Sequence, residues 1–101
     1  MGTKNNPGKF DCYANAEPDE PMFVLLGRDP IAFILVETWA AIREKMGTDA
    51  EKLTEARECA KKLEEWARQK GKHSQIDQAL MLCDDDAELK ATIRQRLGID
   101  D

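Results

Sequence analysis

Arg28 is the residue in this sequence with the most chemistry to offer. It follows Gly27 in the string PDEPMFVLLGRDP, residues 18–30, and directly precedes a proline-led helix start. A planar guanidinium there suits phosphate or carboxylate, which it can grip with two parallel hydrogen bonds. Lys9 offers a second cation, and Tyr13, Phe23 and Trp39 offer apolar walls. Together they make the ingredients of a small anion site, because a nucleotide-sized pocket needs apolar walls and a few well-placed donors. Five acids oppose this reading: Asp11, Glu17, Asp19, Glu20 and Asp29. The other reading of Arg28 is an ion pair with Glu17, Asp19 or Glu20 that pins the surrounding segment. The residues alone leave both open. Trp39 and Trp66 read first as core, the usual place for indoles.

Other chemistry finds little support. His73 is the only histidine and sits in a polar turn, KGKHS, away from Cys59 and Cys83, so no Cys–His nucleophilic pair is expected. There is no CxxC, no HxxxH and no carboxylate series at EF-hand spacing, so no metal is expected. The run Asp84-Asp85-Asp86 reads as a helix cap with acids complementing the helix dipole. Gly27 stands alone and makes no phosphate loop. The expectation is a binding protein, not an enzyme, with no cofactor.

The bounds agree with that. A chain of 101 residues is one small domain, and 42% hydrophobic with 35% charged residues is the composition of a folded, helix-rich chain. Net charge is −5, with the acids gathered in Asp84, Asp85, Asp86, Asp100 and Asp101. This argues against direct contact with a nucleic-acid backbone over a broad face. Cys12, Cys59 and Cys83 are odd in number and far apart. With no signal peptide ahead of them, they read as reduced thiols in a cytosol. The longest apolar run, Ile31 to Val36, falls far short of the roughly 20 residues of a membrane span.

Four helices should position these residues, behind an irregular arm. Residues 1–9 are polar and read as a flexible N-terminus, and residues 10–28 form the arm. Pro18 and Pro21 push their predecessors to extended backbone, and MFVLL has no partner run to pair with as a strand. It is expected to lie extended across helices. From Asp29 as N-cap and Pro30 in the first turn, a helix should run to about Met46 and close at Gly47. Its first two turns are apolar nearly all round and must be covered on more than one face.

Thr48 and Glu51 form a capping box for a second helix to about Lys70, closed by Gly71. Leu53, Ala56, Ala60, Leu63 and Ala67 repeat at spacings of three and four, a narrow packing seam, with Glu58–Lys62 and Glu64–Arg68 as outer ion pairs. The short loop makes the two helices an antiparallel hairpin. Matching their rises puts Val36 against Ala60 and Trp39 near Arg57. It also puts Trp66 beside Ile31 at the open end, where MFVLLGR enters. Ser74 should start a third, short helix to about Cys83, with Ile76, Ala79 and Leu80 inward. Asp84 or Asp85 should start a fourth, stacked on Leu89, Ile93 and Leu97. The fold class is all-α, one domain, with helices spanning residues 29–97.

The pieces FDCYANAEPDEPMFVLLGRDPIA, LVETWAAIRE and KLTEARECAKKLEEWA resemble a group of small, mostly uncharacterised phage and prophage proteins. These share a (Y/F)DC–A, PDEP-F-LLGRD-P and WA-RE pattern, which covers residues 10 to about 70. The resemblance implies a phage accessory product working in the host cytosol. Such products are often counter-defence factors, either sponges that sequester a small nucleotide signal or plugs for a host protein. The first class would use the arm, with Arg28 as anchor. The second would use the acidic tail, Asp84 to Glu88 and Asp100, against a basic protein surface. An apolar first helix also implies that the chain completes its core with further copies of itself.

Overall fold

A computed structural model describes residues 1–84. Its helices are α1 (Cys12–Asn15), α2 (Ala32–Lys45), α3 (Ala50–Gln69) and α4 (His73–Asp84), and no strand occurs among the described residues. The chain is all-α, with α2 and α3 packed as a helical hairpin. Gly47 and Gly71 follow α2 and α3 with φ of +82° and +77°. Such left-handed residues end a helix most readily as glycine, which has no Cβ to clash.

Several starts differ by a residue or a turn from the sequence pattern. Asp29 does not sit on the helix end itself; its carboxylate accepts the Ile31 N–H at 2.9 Å in a turn that leads into α2 at Ala32. The cap of α3 is Asp49 and not Thr48, and its carboxylate accepts the Glu51 N–H at 3.1 Å. Both residues are good caps, and the carboxylate carries the charge that an N-terminus favours. The third helix starts at His73, one residue before Ser74. The fourth helix expected from Asp84 or Asp85 lies outside the described residues.

The core is made largely of alanine. Ala32, Ala40, Ala56, Ala60, Ala67 and Ala79 are buried, joined by Ile34, Leu53 and Ile76. Ile76 on α4 is fully buried, whereas Leu80, expected inward, is exposed. Small residues on the seam let helix backbones approach closely, so bulky neighbours are displaced to the flanks. Glu44 and Arg57 form an ion pair between α2 and α3. Of the two outer pairs expected, Glu64–Arg68 forms at 2.8 Å.

The arm is where the outcome departs most. It contains the short helix α1, capped by Asp11, whose carboxylate accepts the Tyr13 and Ala14 N–H groups. MFVLL forms neither helix nor strand, and most of it is not covered. Met22, Phe23, Val24 and Leu26 are exposed and only Leu25 is half-buried. The N-terminal residues read as flexible fold back onto α3, where Glu55 accepts the N–H groups of Lys9 and Phe10.

Candidate functional site

Arg28 stands at the tip of a tight turn. Leu26, Gly27, Arg28 and Asp29 close it through the Asp29 N–H, which donates to the Leu26 carbonyl at 3.0 Å. Gly27 lies flat against Trp66. A Cβ at residue 27 would come within 3.1–3.2 Å of the indole Cδ1, Cγ and Cβ of Trp66. Glycine therefore lets the turn sit directly on the tryptophan, at the open end of the hairpin where the rise-matching placed it. Trp66 is half exposed, at 51%, and Lys70 holds its ammonium 5.0 Å from the ring centroid. Two cations and an accessible indole face thus share one end of the molecule.

Three of the five acids that could have neutralised Arg28 are engaged by local backbone amides. Asp11 caps α1, the Glu20 carboxylate accepts the Glu17 N–H at 3.0 Å, and Asp29 accepts from Ile31. Among the described residues no carboxylate forms an ion pair with Arg28, which is exposed. Local backbone amides outcompete a distant guanidinium because their geometry is already fixed by the turn.

The other candidates lie apart. Lys9 pairs with Glu51, a hydrogen bond and charge attraction that raise the lysine pKa above its usual value, and its ammonium also stands 5.7 Å from the Phe10 ring. Glu51 is in the first turn of α3 and Trp66 in its last, so Lys9 and Arg28 are separated by roughly 20 Å of helix at 1.5 Å per residue. Tyr13 on α1 is 76% exposed and Phe23 on the arm 84%. Trp39 is half-buried between Arg43 and Lys52, each 5.9 Å from its ring. Arg57, which the rise-matching set near Trp39, reaches Glu44. Within one chain the five residues do not form one pocket. A cleft beside α1, lined by Phe10, Cys12, Asn15, Ala16, Glu20 and Lys52, contains none of them.

Among the described side chains, His73 and the cysteines Cys12 and Cys59 lie apart. His73 accepts at Nδ1 from Arg68 at 3.2 Å, and neither Cys12 nor Cys59 is its partner. Burial pushes the Cys59 thiol pKa up, which disfavours the reactive thiolate. Among the described residues no three His, Cys, Asp or Glu side chains gather as metal ligands would, and no helix is long and apolar enough to cross a membrane. Trp66 and Lys70 were absent from the set of site residues read from the sequence. The rise-matching that set Trp66 beside the incoming arm was the signal that could have added them. Compared with family models, curated proteins and solved structures, the chain matches none.

Proposed function

We propose that the chain is a non-enzymatic binding protein of phage type that counters host defence by sequestering a small, nucleotide-like anion. The observation that supports this most is Arg28, held at a turn tip without an acid partner among the described residues and next to the Trp66 indole and Lys70. A guanidinium grips phosphate, and an exposed indole face stacks on a base. In this reading Tyr13, Phe23 and Trp39 come from neighbouring copies of the chain, since one copy does not bring them to Arg28.

A second reading is direct inhibition of a host protein. The exposed apolar ribbon Met22, Phe23, Val24 and Leu26 favours it, because uncovered patches of this kind mark interaction surfaces. A thermal-shift screen with cyclic di- and trinucleotides, cyclic ADP-ribose-type molecules and inorganic phosphate, run beside a pull-down from host lysate, separates the two. Sequestration predicts stabilisation of about 2.7 kcal/mol at a hundredfold excess over Kd, abolished in Arg28→Ala. Equal shifts in both proteins would move the site away from Arg28. No shift with any nucleotide, together with a co-purifying host protein, would replace sequestration by inhibition.

A further inference from the structure

We propose that residues 8–10 are a latch, closed by the Glu55 carboxylate, whose opening uncovers the face of α3 that carries Cys59. Three observations on different atoms support it. Both carboxylate oxygens are used by consecutive backbone amides: Lys9 N–H donates to Oε1 at 2.7 Å and Phe10 N–H to Oε2 at 3.0 Å. The Glu55 side chain is only 17% exposed, with its bond to Phe10 half-buried and its bond to Lys9 at the surface. Gly8 has φ of +80°, and a Cβ there would lie 1.9 Å from Oε1 of Glu55. Only glycine lets the chain turn and approach this closely.

The Met1 ammonium reinforces the latch: it donates to the Pro7 carbonyl at 2.7 Å and to the Phe10 carbonyl, and it stands 3.7 Å from Oε1 of Glu55. Few apolar contacts hold the segment. Residues 2–9 are exposed, and Thr3 and Asn6 bond to each other through their backbones without reaching α3. Lys9 adds a surface ion pair to Glu51, the kind worth little. Phe10 supplies the one apolar contact, half-buried. A segment with few buried apolar contacts opens locally while the rest of the fold stays intact. The closed latch forms the wall of a cleft with Gly2, Thr3 and Asn6 on one side and Glu58, Cys59 and Lys62 on the other. Cys59 is therefore a built-in reporter of opening. The latch also sets where the arm begins, since α1 starts two residues after Phe10.

The test uses the full chain with Cys12→Ser and Cys83→Ser, so that maleimide reacts at Cys59 alone. Glu55→Gln replaces one acceptor oxygen by an NH2 that faces an N–H, and Gly8→Ala forces the chain off the carboxylate. Each should speed labelling on the order of tenfold, the effect of losing a hydrogen bond to a charged group, with helical circular dichroism unchanged. An unchanged labelling rate in Glu55→Gln with helicity retained would overturn the latch. Amide exchange in the unaltered chain provides a measurement that no folding defect can confuse. The Lys9 and Phe10 amides should be protected relative to those of Lys4 and Asn5, and exchange as fast as theirs would equally overturn it.

Discussion

Replacing Trp66 by alanine asks whether the indole holds the arm to the hairpin. Gly27 rests on the ring, and the adjoining turn is closed by the Asp29 amide. Removing a fully buried large aromatic costs about 3–5 kcal/mol. Trp66 is 51% exposed, so about half of that contact exists to be lost, on the order of 2 kcal/mol. The loss falls on local closure of the arm, since the seam residues Leu53, Ala56 and Ala60 do not touch the arm turn's resting place at the end of α3. Protection of the Asp29 amide against hydrogen exchange should fall about 30-fold, at about 1.4 kcal/mol per factor of ten. Amides in the middle of α3 should keep theirs. Hydrogen exchange read by NMR at single residues makes the comparison within one sample. Unchanged Asp29 protection with an intact hairpin would refute the reasoning, and the arm would then be held by Leu25 or the Glu55 end.

Other perturbations test other links. Ile76→Ala should destabilise by about 2–5 kcal/mol, because Ile76 is the one large side chain on α4 that is fully buried among the described residues; chemical denaturation measures it. Asp49→Ala should cost about 1 kcal/mol by removing the cap of α3, whereas Thr48→Ala should cost much less, and their midpoints read the difference. The Lys9–Glu51 pair raises the folded lysine pKa above 10.5, so its small contribution is complete below that pH and is lost as pH rises through the folded value. A Lys9→Met variant should therefore differ from the parent at pH 8 and converge with it in strong alkali. Light scattering should give a mass that is a multiple of 11.4 kDa, and Leu35→Asp should return it to the single-chain value; a parent already at 11.4 kDa would refute self-association.

The hairpin could be read from the sequence because its signals are local. Gly47 and Gly71 follow helix-period segments, and Leu53, Ala56, Ala60, Leu63 and Ala67 mark one face by spacing alone. Cap positions slipped where two good caps adjoin, as at Thr48 and Asp49, since the choice depends on which side chain reaches the free amide. The arm was hidden for a different reason. Glu55 meets Lys9 and Phe10 across some 45 residues, and no spacing rule connects them. The pairing of Lys9 with Glu51 is equally remote in sequence, whereas the turn that carries Arg28 is formed by its own neighbours. Exposure of Phe23 and Val24 was also out of reach, since apolar content says that a segment seeks cover and not whether one chain supplies it.

That last point bears on the choice between the two functional readings. With a seam of alanines, α2 and α3 approach closely and share few large side chains. Ile31 just before α2, Leu35 and Ile42 on α2, and Met22, Phe23, Val24 and Leu26 on the arm stay exposed. So many bare apolar side chains on a small chain favour cover by another surface, because water contact costs about 25 cal/mol for each Å² of apolar area left uncovered. Copies of the same chain and a host protein compete for these side chains, so both cannot use all of them. If self-association covers Leu35 and Phe23, they are no longer open to a host partner, and what remains accessible is the charged, aromatic end around Arg28, Trp66 and Lys70. If the chain is single in solution, these side chains are free, and the host-protein reading gains what the nucleotide reading loses, namely the aromatic walls that only neighbouring copies could bring to Arg28. The mass in solution therefore ranks the two readings before any ligand is tried.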